Sequence, residues 1–281
     1  MSLKTFKSFL KCTEAQLLRI LTQYLKTKYD KVEATYSYII AYGDIPIGLV
    51  AHLDTVHKMQ PVEIFHDQEE DVLWSPQGLG ADDRAGVYAI YNLIELGYRP
   101  HIIFTTGEES GGRGASVLTA VHEESPFEEL KFLIELDRSG FDDCVFYNCD
   151  NEDFEKYINS FGFETEVGSF SDISILAPAW KVAAVNLSIG YKKEHTMSEH
   201  LYLSALKNTV CRVESILKDK TSIKYEYIPF TPESNKTECS CYYCSARIPV
   251  GAGFELPYYI GEPSSFLCSN CYTSFCDISY Y

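Results

Sequence analysis

The chain has 281 residues, enough for one large domain or a large and a small one, and its 46% apolar and 23% charged residues suit a soluble globular protein. A net charge of −16 excludes broad binding to nucleic acid or anionic membranes, which needs clustered Lys and Arg. No apolar stretch approaches the roughly 18 residues of a membrane span, and the lysine-broken N-terminus lacks an apolar export segment, so a cytoplasmic location is expected.

In chain order, Thr13 and Gln16 predict a capping box before a helix whose Leu17, Leu18, Leu21 and Leu25 share one face. Two β-rich runs follow, "EATYSYIIAYG" and "IPIGLVAHLDT", and Gly43-Asp44 between them predicts a hairpin turn. "DDRAGVYAIYNLIELG" has helical spacing and stops at Gly97. "HIIFTT" reads as a buried strand, "GGRGASVLTAVHEE" as a helix and "LKFLIELD" as a strand. "NEDFEKYINSFG" is a helix, "KVAAVNLSI" a strand, and "SALKNTVCRVESILKDK" a long amphipathic helix. This alternation predicts an α/β domain over residues 1–220, three α/β/α layers around a mostly parallel mixed sheet. Residues 221–238 lose periodicity and read as a linker.

The polar outliers stand at strand ends. "GLVAHLDTVH" ends in His52 and Asp54, which alternation puts on the same side of the strand. "HIIFTTGEES" ends in Glu108 and Glu109, "FLIELDRSG" in Asp137, and His195 follows "NLSIG"; Asp82 begins a helix. Singly, Asp54 and Asp82 have an ordinary role as helix caps. Together these residues form one candidate site, because open α/β sheets bind ligands at the carboxyl ends of their strands. Imidazole and carboxylate donors without thiolate suit Zn²⁺, with Mn²⁺ or Co²⁺ as alternatives. Two histidines and three or more acids exceed the needs of one tetrahedral ion and match two ions sharing a carboxylate.

"HLD", "GADDRAG", "GEESGGRGA", "LDRSG" and "EHT", in this order, resemble the metal motifs of the co-catalytic dizinc exopeptidase superfamily. That superfamily includes peptidase T, the carboxypeptidase G group and single-domain zinc aminopeptidases. The resemblance spans residues 45 to 200. It implies that Asp82 bridges two catalytic metals, with His52 and Asp137 completing one ion's ligands and Glu109 and His195 the other's. It also implies Glu108 as general base and Asp54 as the acid that orients His52. Asp83 is then left as a helix cap or solvated acid, and Arg84 stands where many members have Lys, a change of little expected weight. Residues 138–194 leave no room for the lid that the carboxypeptidase and peptidase T branches insert, so a compact form is expected. Tyr191 is the candidate substitute for a lid-borne oxyanion group. Asp172, in "SFSDISIL", is the candidate to face a substrate amine.

Cysteines crowd the end of the chain. "CSCYYC" and "CSNC" give C-x2-C-x23-C-x2-C, with Cys241, Cys244, Cys268 and Cys271 spaced as ligands of one structural zinc. Residues 239–281 thus read as a zinc-ribbon-like module around a hairpin in "FELPYYIGEPSSFL". Two disulfides, or a register using Cys239 or Cys276, are the alternatives. With one Arg against three acids, the module suits a protein partner rather than nucleic acid. The leading expectation is a dizinc aminopeptidase-type exopeptidase acting on peptides. An amidase or deacylase of small acylated amines shares the chemistry, and a non-catalytic module that binds a protein through the ribbon is the reading from another class.

Overall fold

A computed structural model describes residues 2–219 and 221–230, and the backbone of four short strands beyond them. The chain divides into two units, Met1–Pro229 and Phe230–Tyr281. The first begins with helices α1 (Leu3–Leu10) and α2 (Glu14–Leu25). Thr13 and Gln16 form the reciprocal capping box of α2, and Leu17, Leu21 and Leu25 are buried beneath it. Each such leucine contributes roughly 1.5–3 kcal/mol. Strands β1 (Val32–Ala34), β2 (Tyr38–Ala41) and β3 (Ile45–His52) follow, then β4 (Phe65–Asp67) and β5 (Val72–Trp74). Next come α3 (Ala81–Glu95), β6 (Pro100–Thr105), α4 (Arg113–Val121), β7 (Phe132–Arg138) and β8 (Asp143–Val145). Helix α5 (Glu152–Asn159), β9 (Glu164–Thr165), α6 (Ile173–Trp180), β10 (Ala184–Ser188), β11 (Tyr191–Lys192), β12 (His200–Tyr202) and α7 (Leu203–Asp219) complete this unit.

Eight strands form the main sheet in the order β1-β2-β6-β3-β7-β10-β8-β9. The central neighbours β6/β3, β3/β7 and β7/β10 are parallel, while β1/β2, β2/β6 and β10/β8 are antiparallel. Alternate residues of the central strands enter two different cores. Leu49, Ala51, Ile102, Phe104 and Ile134 pack on one face with α2, α3, α5 and α7. Val50, Ile103 and Leu133 pack on the other with α4 and α6. Burial on both faces explains why these strands read as continuous apolar runs. The three-layer α/β/α architecture follows from it. The crossover from β3 to β6 carries α3 on one face, and the next, through α4 on the other face, returns to β7 on the far side of β3. The strand order therefore reverses at β3, the kind of position where such sheets bind ligands.

Three expectations need correction. The runs on either side of Gly43-Asp44 do not form a hairpin, since β6 lies between β2 and β3. The short connection passes across the entrance of β6, with Asp44 and Ile45 both donating to the Arg99 carbonyl at 2.9 and 3.0 Å. A Cβ on Gly43 would lie 2.0 Å from that oxygen, so glycine serves close approach rather than a tight turn. The local hairpin is β1–β2 instead. Helix α6 is also absent from the sequence reading, because "ISILAPAW" is short and contains Pro178 in its interior. It forms because Ile173, Leu176, Ala177 and Trp180, at helical spacing, are buried in the second core. Finally, the expected linker begins inside the first unit. Tyr225 is buried, the Ala183 N–H donates to its carbonyl at 2.9 Å, and Glu226 and Pro229 pair with Val182 and Cys149.

Residues 138–194 build β8–β11 of this same unit. A second, antiparallel sheet, β11-β12-β5-β4, comes from strands too short to show a period. In the second unit, β13 (Glu238–Ser240) pairs antiparallel with β14 (Arg247–Pro249), and β15 (Phe254–Glu255) with β16 (Phe266–Leu267). Cys241, Cys244, Cys268 and Cys271 lie outside the described residues. No helix among the described residues is long and apolar enough to cross a membrane.

Candidate metal centre

The carboxyl ends of β3, β6 and β7 deliver their polar residues to one place. His52 closes β3 and is fully buried. Its Nε2 lies 3.1 Å from Asp82 Oδ1 and 3.4 Å from Asp137 Oδ1. The other oxygen of Asp82, Oδ2, lies 3.1 Å from His195 Nε2, and that nitrogen is 3.0 Å from Glu109 Oε2. Asp82 thus presents one oxygen to a His52–Asp137 pair and the other to a Glu109–His195 pair.

Asp54 ties the strand to the turn after β6. Its Oδ1 lies 3.3 Å from His52 Nδ1, and its two oxygens accept the Glu108 and Glu109 amides, each at 3.1 Å. That turn is a single 3-10 turn, Glu108–Ser110, flanked by glycines with positive φ at Gly107, Gly111 and Gly112. Both Glu side chains are thereby set over the end of the sheet. The Glu108 carboxyl makes no hydrogen bond among the described residues, and burial raises its pKa to about 9, reinforced by Asp137, Asp172 and Glu109.

Asp83 is a cap, as expected, but a buried one. It accepts the Gly86 amide at 3.0 Å and the His52 amide at 3.2 Å, so its carboxylate is occupied by backbone behind Asp82. The Asp82–Asp83 peptide is cis. Arg84 has more weight than its sequence context suggested. It is buried, and its guanidinium donates to the carbonyls of Phe9 and Cys12 at 3.0 and 3.1 Å, locking the α1–α2 turn onto α3.

Asp172 and Tyr191, expected at a substrate pocket, are both buried. Asp172 accepts from the Thr105 hydroxyl, and Tyr191 donates to Asp137 Oδ1 at 3.1 Å. Neither is exposed to solvent. Burial raises Asp172 to about 6.

Two supporting residues escaped the sequence reading. Asn186 on β10 accepts the Asp137 amide at 2.9 Å and donates to its carbonyl at 3.0 Å. A lone amide inside the apolar run "VAAVNLSI" was its available signal. Glu199 is buried and accepts the amides of Gly80 and Asp82 at 2.7 and 2.9 Å. Nothing in "TMSEHL" marks it.

The electrostatics describe a site with too much negative charge for its own cations. Burial raises Asp137 to about 7, with Asp82 adding to it. Burial also pushes Asp82 upward, but its hydrogen bonds to His195 and His52 outweigh that and hold its carboxyl well below the usual range. The Asp82 carboxylate raises His195 to about 9. Burial disfavours charge on His52, yet Asp137, Asp54 and Asp82 together lift it well above its ordinary value. Glu109 Oε1 is buried without a partner. Donor atoms of His52, Asp82 and Glu109 lie within 4.8 Å of one another, as do those of His52, Asp83 and Asp137. Crowded carboxylates, two imidazoles and an orphaned buried oxygen fit divalent cations, and the absence of thiolates fits Zn²⁺, Mn²⁺ or Co²⁺.

No family model and no curated sequence matches this chain. Solved structures do. A tripeptidase from Staphylococcus aureus is 16% identical with a TM-score of 0.62, the match covering 78% of this chain and 97% of that one. Aminopeptidase PepT from Bacillus cereus gives the same identity and TM-score over 77% and 97%. An aminopeptidase from the archaeon Desulfurococcus kamchatkensis is 14% identical with a TM-score of 0.56 over 80% and 98%. With so little identity the likeness is one of backbone architecture, and this chain has the mixed-sheet α/β fold that these peptidases share.

Proposed function

We propose that this protein is a metal-dependent aminopeptidase-type exopeptidase that hydrolyses a peptide bond at a paired metal centre. The carrying observation is Asp82, whose two oxygens each lie 3.1 Å from a different histidine, His52 and His195, which stand 3.4 and 3.0 Å from Asp137 and Glu109 respectively. Asp82 would be shared, His52 and Asp137 would hold one ion, and Glu109 and His195 the other. Two divalent cations held there would supply Lewis-acid polarisation of the scissile carbonyl and positive charge to stabilise the negative charge that develops on its oxygen. Glu108, whose carboxyl makes no hydrogen bond among the described residues and is raised by burial, would be ionised once cations neutralise the surrounding acids and would take the proton of the attacking water. It then returns that proton to the leaving amine. Asp54 holds the His52 ring and the Glu108–Glu109 turn in one geometry. The tripeptidase and aminopeptidases of the same fold support a peptide as substrate, and the C-x2-C pairs support a structural zinc in the second unit, with a protein partner as its role.

The test compares wild type with Glu108→Gln on aminoacyl amides, short peptides and N-acyl amino acids, with added Zn²⁺, Mn²⁺ or Co²⁺. Wild type should release free amino acid from peptides with an unblocked amino terminus. Glu108→Gln should lose about 10²–10⁴-fold in kcat with metal content unchanged. Cleavage confined to N-acyl substrates would replace the aminopeptidase by a deacylase. Metal-replete protein inactive on all three classes would remove the enzymatic reading.

A further inference from the structure

The two halves of the paired site are held by different means. His52 and Asp137 stand on β3 and β7, adjacent parallel strands of the main sheet. Asp137 is further fixed through Asn186 and Tyr191. His195, by contrast, sits in the 193–198 loop, which contains no buried residue. Apart from the contacts of His195 with Asp82 and Glu109, the loop's hydrogen bonds are local, from the Thr196 hydroxyl to the Lys193 carbonyl at 2.7 Å and from the Ser198 amide to the Thr196 hydroxyl at 3.2 Å. The His195 side chain is 53% exposed. Packing therefore does not determine where this histidine stands. The loop takes its position from its ends.

Glu199 is the buried residue at the downstream end, and it reaches directly to the backbone that carries Asp82. Its Oε1 accepts the Asp82 amide at 2.9 Å; its Oε2 accepts the Gly80 amide and faces His57 Nε2, both at 2.7 Å. Asp82 and Asp83 have non-helical backbone angles, so the Asp82 amide lies just ahead of the turn that Asp83 caps and takes Glu199 as its partner. His57 is the one imidazole against this buried acid among the described residues. Asp82 keeps a second anchor that does not involve Glu199: Asp83 caps α3 at Gly86 and accepts the His52 amide.

We infer that Glu199 is the positioning residue that sets the His195 loop against Asp82, so that the Glu109–His195 half of the site depends on it and the His52–Asp137 half does not. This rests on the two-ion reading above. Its consequence is an asymmetry in binding, because loss of Glu199 should loosen one ion and spare the other. A residue that merely stabilised the fold would affect both.

The test is calorimetric titration of the full-length, metal-free chain with Co²⁺, thiolate charge-transfer absorption marking any ion held by cysteines. Wild type should take two equivalents outside the cysteines. In Glu199→Gln one acceptor oxygen becomes an NH₂ that faces amide donors. Its first equivalent should stay within about threefold of wild type, while the second weakens by about 10- to 100-fold. Its metal-free melting temperature separates this from a general loss of fold. If Glu199→Gln does not fold, His57→Phe, which leaves both amide bonds to Glu199 in place, should weaken the second equivalent alone by a smaller factor. Equal weakening of both equivalents, or no change in either, would overturn the role of Glu199. A wild type that takes a single equivalent would instead overturn the two-ion reading itself, and is seen before any variant is compared.

Discussion

The two sides of Asp82 are equally close in distance and unlike in construction. On the His52 side, ligand-type residues project from adjacent strands whose ladders and two-sided burial leave them little freedom. On the His195 side, one comes from a single 3-10 turn between glycines and the other from a half-exposed loop. The difference teaches that similar hydrogen-bond geometry can rest on unequal foundations. A strand-borne group is placed by the sheet, while a loop-borne group needs a dedicated tether. For the proposed hydrolase the arrangement would be useful, since an exposed side would admit substrate and a rigid side would keep the reference frame.

The comparison can be broken most severely at its shared member. Asp82→Ala should remove both ions together and abolish activity, as read by elemental analysis of the purified chain; full retention of metal would mean that Asp82 only begins a helix. A smaller effect is expected at Asp54, which joins the two sides by holding the His52 ring and the Glu108–Glu109 amides. Asp54→Ala should lower metal affinity or turnover by about 10- to 100-fold, with both equivalents affected in titration. An effect on one equivalent alone would show that Asp54 serves His52 and not the turn. The smallest effect belongs to the rigid side. Tyr191→Phe removes one hydrogen bond to Asp137 without creating a cavity, at a cost of about 1 kcal/mol, or roughly fivefold in affinity for one ion. A loss of about 10- to 100-fold would mean that the strand-borne side depends on its hydroxyl as heavily as the loop-borne side depends on Glu199.

Legibility in the sequence followed the same division. The capping box at Thr13, the apolar strands and the amphipathic helices were readable because short-range periodicity and capping chemistry produce them. The acids and histidines at strand ends were readable because a polar residue closing an apolar strand stands out from its neighbours. Gly43 misled because a glycine before a short connection has the same appearance whether it turns a hairpin or lets two backbones approach. Helix α6 was invisible because it is short and carries an interior proline, and burial against the second core holds it.

What the sequence by itself determined was the class of fold and the identity of the donor-type residues, since both depend on local pattern and residue chemistry. The tertiary structure alone decided which oxygen of Asp82 faces which histidine, for that depends on bringing the end of β3, the start of α3 and the 193–198 loop together. It alone made Asp83 a buried cap, Arg84 the lock on the α1–α2 turn, and Glu199 a partner of Gly80 and Asp82 from far along the chain. These are contacts between segments that carry no mark of one another, and they exist only once the sheet has set the segments side by side.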